Sequence, residues 1–198
     1  MTDAIPMTPC GAAADGRRRR GHDNRARIVA AMLAIIGEGE ITPSAEQVAA
    51  RADVGLRTVF RHFLDMDSLY REMSGVIEGE LRSVADRPFR TQAWPDRLFE
   101  LIGRRAIGFE KIAPFKRASD SLRHRSKFLE ADSARLAVGL REILEREVPP
   151  AIAADPVTLA ILELLLSFES WSRLRREQGF SPQEAQEILS TAAQRVIG

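Results

Sequence analysis

The chain has 198 residues, 44% of them hydrophobic, with 29 Lys and Arg against 28 Asp and Glu, a formal net charge of +1. That length and apolar content exclude wholesale disorder and leave room for one domain, or a small domain joined to a larger one. A single cysteine, Cys10, excludes an intrachain disulfide, and neither a signal-like start nor an apolar run of about 18 residues is found, so a cytoplasmic protein without a membrane partner is expected.

The charge is unevenly placed. Arg17 to Arg20, Arg25, Arg27, Arg51, Arg57 and Arg61 fall in the first third, and acids gather from Asp65 onward. This is the footprint of a nucleic-acid-reading head on a neutral body. Residues 1–22 show no apolar period and are predicted to form a disordered basic tail. Arg17–Arg20 reads either as a solvated run or as an arm reaching phosphate or the minor groove. From Asp23, Ile28, Met32, Ile35 and Ile36 recur at helical spacing, and Gly37 and Gly39 end a first helix.

Ser44 opens a second helix, with Gln47 three residues on completing a capping box. Val48, Ala49 and Ala52 form its inner face. A third helix runs from about Leu56 to Phe63, with Val59, Phe60 and Phe63 available for the core. Leu69, Met73, Val76, Ile77 and Leu81 mark a long fourth helix that stops near Asp86-Arg87-Pro88. A fifth helix is predicted between Pro95 and Pro114 and a short sixth over 115–122. A seventh reaches Pro149-Pro150, an eighth spans 156–176 and a ninth 182–196. With no alternating strand pattern and no repeat, the fold is read as all-α with about nine helices. A helix-turn-helix head over 23–70 is followed by a helical body over 71–198.

Two short helices joined by a tight turn, the second carrying arginines, suit the major groove of double-stranded DNA. The expected DNA-binding residues are Ser44, Leu56, Arg57, Thr58, Phe60, Arg61 and His62. Leu56 and Arg57 would reach base edges, where a guanidinium can bond guanine O6 and N7 together. Ser44, Thr58, Arg61 and His62 would hold phosphates, with His62 alternatively packing beside Phe63. One such head covers a half-site, so a homodimer on a palindrome is expected, its two reading helices about 34 Å apart. The eighth helix is apolar on two sides, with Ile161, Leu165 and Phe168 on one and Leu162 and Leu166 on another. The last two helices are therefore predicted to pair with a second copy through Leu162, Leu166, Glu169, Ala185, Ile188, Leu189 and Ala192.

Within the body, Arg105 falls in the apolar stripe of Leu98, Leu101, Ile102, Phe109 and Ile112. Either it forms a structural ion pair, with Glu169 the candidate, or it meets a small-molecule effector in a pocket shared with Phe99, Phe109, Phe115 and Trp171. No metal or catalytic pattern appears: His22, His62 and His124 are scattered, and Asp120, Glu130 and Asp132 read as a solvated face. No cofactor is implied, and no enzyme is expected.

The residues Val48-Ala49, Ala52, Val54, Thr58, Val59, Phe60, His62, Phe63 and Leu69 resemble the helix-turn-helix pattern of the tetracycline-repressor (TetR) family of bacterial transcriptional regulators. The body resembles that family in architecture only. The resemblance implies a dimeric, ligand-responsive repressor whose effector binds between the helices of the body. Four positions depart from the pattern. Asp53 stands for the usual turn glycine and Gly55 for a Ser or Thr cap. Phe60 replaces a frequent Tyr, and Met66 a frequent Lys. The losses at Phe60 and Met66 leave a second reading open, a dimeric helical ligand-binding or interaction module with weak or lost DNA binding.

Overall fold

The computed structural model describes residues 11–198, the side chains of 11–20 and 22 excepted. Ten α-helices occur among the described residues and no strand does. They are α1 (Gly11–Gly37), α2 (Ala45–Arg51), α3 (Leu56–His62), α4 (Met66–Ala85), α5 (Asp96–Leu122), α6 (Lys127–Glu147), α7 (Pro150–Ala153), α8 (Pro156–Leu165), α9 (Phe168–Ser172) and α10 (Pro182–Ile197). A 3-10 turn (Arg123–Arg125) precedes α6, and a π turn (Arg173–Glu177) follows α9. The chain divides into two compact units, Met1–Met73 and Ser74–Gly198, with the division inside α4. No described helix is long and apolar enough to cross a membrane.

In the first unit, α1 supplies Ile28, Met32 and Ile36 to a core completed by Val48, Ala49, Val59, Phe63, Leu69 and Met73, all buried. The capping box of α2 is formed: the Ser44 hydroxyl accepts from the Gln47 amide, and the Gln47 side chain accepts from the Ser44 amide. Asp53 takes the left-handed conformation that the turn demands, at φ 51°. Asp tolerates this region better than most residues, and Arg27 secures it by donating to both the Asp53 carbonyl and its carboxylate. Gly55 caps α3 with no side-chain bond.

Two expectations fail here. Phe60, expected as a possible core residue, is 50% exposed, because Val59 and Phe63 already fill the inner face of a two-turn helix. Helix α1 starts at Gly11, so residues 11–22, expected as tail, are helical. Ala and Arg rank high in intrinsic propensity and can extend a helix nucleated by the amphipathic part beyond Asp23. Residues 1–10, with Cys10, and the Arg17–Arg20 side chains expected as a tail or arm, lie outside the described residues.

The second unit is built around a core of Leu98, Leu101, Ile102, Phe109, Ile112, Leu144, Leu162, Phe168, Trp171 and Leu189. Phe109 meets Phe168 edge to face, with ring centroids 5.6 Å apart. Proline does not end α5: Pro114 lies inside it, and the predicted fifth and sixth helices are one. Ile112, Lys116 and Ala118 are all buried, and this packing outweighs the roughly 3 kcal/mol that an interior proline costs. The predicted eighth helix, conversely, breaks after Leu165. Ser167 caps a new helix, accepting from the Ser170 amide, and the carbonyl of Leu166 is taken by a side chain of α5.

Candidate nucleic-acid interface

Helix α3 is two turns long and carries its core contacts on one face, so its remaining side chains point outward. Leu56, Arg57, Phe60 and Arg61 are exposed, and Thr58 is half-buried. Five arginine side chains are described on α1, α2 and α3, and their fates divide. Arg25 pairs with Glu72 at 2.7 Å, Arg27 with Asp53 at 3.3 Å, and Arg51 with Glu38 at 2.5 Å. Arg57 and Arg61 make no hydrogen bond or ion pair among the described residues. The two cations on the short helix are thus left for whatever binds from outside. Ser44 is exposed at the start of α2, its oxygen already accepting in the capping box.

His62 lies apart from this set. Its Nε2 is buried with no hydrogen-bond partner, and its carbonyl accepts from Arg25 at 3.0 Å. Burial, then the charges of Arg61 and Arg25, push the imidazole below its ordinary value of 6.5, so near neutral pH it carries no charge to offer a phosphate. Of the two roles open for His62, the packing one agrees with this placement.

None of the expected effector residues Phe99, Arg105, Phe109, Phe115 and Trp171 lines the cavity described in this unit. Phe109 and Trp171 are buried against one another and Phe168, and the Trp171 indole donates to Glu110 at 2.9 Å. Phe99 and Phe115 are half-buried, Phe99 packed against the same core. Arg105 is only 7% exposed, as its place in the stripe required. Its expected partner is wrong, however. Glu169 is exposed and lies 3.8 Å from Lys116, while Arg105 donates to the carbonyls of Leu166, at 2.8 Å, and Leu140. With no carboxylate bonded to it, burial lowers its pKa to about 10, so it remains a cation at neutral pH.

A cavity of about 490 Å³ lies elsewhere in the second unit, lined by Lys116, Arg123, Glu130, Ser133, Leu136, Leu140 and Glu169 among others. Lys116, a buried cation that sequence reading missed, is held by Asp120 at 2.6 Å. Its position one turn from Ile112 on a helix already expected to stop at Pro114 concealed it. The Glu130 carboxylate has no partner among the described residues.

The residues expected to pair copies also need correction. Leu162, Leu166, Ala185 and Leu189 are buried in the unit's own core, and Glu169 is an exposed carboxylate. Ala192 is half-buried and Ile188 partly exposed. The open apolar face of α8 is instead Val157, Ile161 and Leu164, spaced four and three residues apart, with Leu164 67% exposed.

No protein-family model matches the sequence, and no curated protein matches it. Solved structures do match. A TetR-family member from Streptomyces coelicolor A3 superposes at TM-score 0.59 with 23% identity, over 85% of this chain and 96% of that one. The multidrug binding protein EbrR, complexed with proflavin, gives TM-score 0.59 and 25% identity over 85% and 98%. EbrR complexed with imidazole gives 0.53 and 19% over 84% and 93%. The chain has the fold of the TetR family.

Proposed function

We propose that this chain, sharing its fold with TetR-family regulators, is a DNA-binding transcriptional regulator that reads a palindromic operator as a homodimer. The observation that carries the reading is the division of the five arginines described on α1, α2 and α3. Three are tied to carboxylates, and the two on the outward face of α3 are not. Unpaired guanidiniums on a helix of groove-entering size are what base and phosphate recognition requires. Arg57, near the start of α3, reads bases; Arg61, one turn on, holds phosphate.

The pairing surface is the apolar face of Val157, Ile161 and Leu164 on α8 with Ile188 of α10, since scattered single apolar residues need no partner but a helix-length stripe does. A second copy on this face would supply the other half of a two-fold site. Selection of duplexes from random DNA, with light scattering of the purified protein, tests both parts together. A palindrome and twice the chain mass are expected. Selection of no site, or a monomer at micromolar concentration, contradicts the reading.

The regulator responds to a small molecule. Support comes from EbrR, whose structure holds proflavin, and from a cavity whose size is in the range of ligand sites. Of the cavity's charged groups, Lys116 and Arg123 both reach Asp120 while the Glu130 carboxylate has no partner among the described residues, so with apolar Leu136 and Leu140 in the lining an organic cation with an apolar body is the ligand class to test first. Proflavin should bind and weaken DNA binding, and Glu130→Gln with Glu169→Gln should weaken the dye; an effect of the dye on DNA binding that survives both substitutions contradicts this placement.

A further inference from the structure

Arg25 is half-buried and belongs to the run of basic residues that, by charge alone, would be counted toward phosphate binding. Its contacts point inward instead. One terminal nitrogen donates to the carbonyl of His62, the last residue of α3, at 3.0 Å. The other donates to the Glu72 carboxylate on α4 at 2.7 Å. Between the two arms, the guanidinium carbon sits 4.6 Å from the centre of the ring of buried Phe63, the C-cap of α3.

These contacts have a common consequence. The last carbonyls of a helix have no intrahelical partner, and α3 has only two turns of its own bonds to hold its direction. A planar, rigid fork with fixed donors suits the joining of two acceptors from different elements, which a lysine cannot reproduce. The apolar face of the same group lies on Phe63, so the ring and the fork fix one another.

We propose that Arg25 is a positioning residue for the reading helix: from behind, it ties the end of α3 to Glu72 of α4 and so sets how Arg57 and Arg61 are presented to DNA, without touching DNA itself. The inference rests on the DNA-binding reading above and adds to it a residue outside the recognition helix. Glu72 is the second half of the device. Here the two possible roles of this pair diverge in sign. If only net charge mattered, removing the Glu72 carboxylate from a DNA-binding head would leave binding unchanged or tighten it. If the pair positions α3, removing it weakens binding.

The test compares wild type, Arg25→Met, Arg25→Lys, Glu72→Gln and, as a direct-contact control whose slope should fall by about 0.9, Arg61→Ala on the selected duplex over a range of salt. Arg25→Met is expected to lose roughly tenfold or more in affinity at every salt concentration, with the slope of log affinity against log salt unchanged. Arg25→Lys should recover only part of the loss, and Glu72→Gln should weaken binding. Tighter or unchanged binding by Glu72→Gln overturns the proposal. So does a slope reduced by about 0.9 in Arg25→Met, the mark of one lost phosphate contact. If wild type itself selects no duplex, the DNA-binding reading fails separately. Amide exchange still decides the role of Arg25 in that case, through selective loss of protection at the end of α3 in Arg25→Met. Unchanged protection there, or loss spread evenly over α1 and α2, contradicts it.

Discussion

Arginine serves opposite ends in the two units. In the first, the exposed Arg57 and Arg61 stand on a short helix with no internal partner, beside three arginines that are paired. In the second, Arg105 is buried and gives its hydrogen bonds to the main-chain carbonyls of Leu140 and Leu166. Arg104 likewise gathers carbonyls of Ala85, Arg87 and Pro88 and the carboxylate of Glu100, with its guanidinium over the Phe89 ring. The same side chain is exposed and unpaired in one place and an internal tie in the other. What separates the uses is whether acceptors lie within reach on the chain itself. Position in the sequence, and the charge of the surrounding run, do not reveal this.

Substitution should separate the two uses. Replacing Arg105 with Met keeps volume and apolar contact but leaves the Leu166 carbonyl buried and unmet, so a stability loss of about 1–3 kcal/mol is expected by denaturant unfolding. The loss is limited because the substitution also removes a buried charge. A variant as stable as wild type would break the contrast from the side of the second unit. Arg57→Ala should leave stability within about 0.5 kcal/mol of wild type while costing about 1–3 kcal/mol of DNA binding, with relaxed preference at one base pair. Equal losses of folding and binding would mean that Arg57, too, is a tie.

The smallest expected effect concerns His62. Its folded form resists protonation because the ring is partly buried and Arg61 and Arg25 are near. Such a group contributes stability that is whole above its unfolded value, near 6.5, and is lost as pH falls below it, since the unfolded chain then binds the extra proton. Stability of the first unit should therefore drop as pH falls below 6.5, and less so in His62→Phe. An equal drop in both proteins would assign the acid sensitivity to other groups.

Much of the head could be read from the sequence because its signals are local. A capping box declares itself over four residues, and Asp53 in the turn carries its conformational reason with it. The helix pair followed directly. In the body the decisive terms are tertiary. Pro114 looked like a stop and is not, because packing of the same helix on both sides of it prevails. Leu165 and Leu166 looked continuous with Phe168, yet Ser167 and the reach of Arg105 across to Leu166 divide them. The burial of Arg105 was legible from periodicity, whereas its acceptors were not, since carbonyl oxygens exist at every position and leave no mark in composition. The apolar sides of α8 were visible too, but which side faces inward depends on α5 and α10. As a result Leu162 and Leu166 are buried, and Val157, Ile161 and Leu164 form the open side.

The central claim is that the cations of α3 are kept free for DNA. Its most direct test is the salt dependence of binding to one selected duplex by wild type and by the Arg57→Ala, Arg61→Ala double variant. The account predicts a steep fall of wild-type affinity with salt and, in the variant, weaker binding with a slope shallower by about 0.9 for the phosphate contact of Arg61. Wild-type and variant lines that coincide would contradict it.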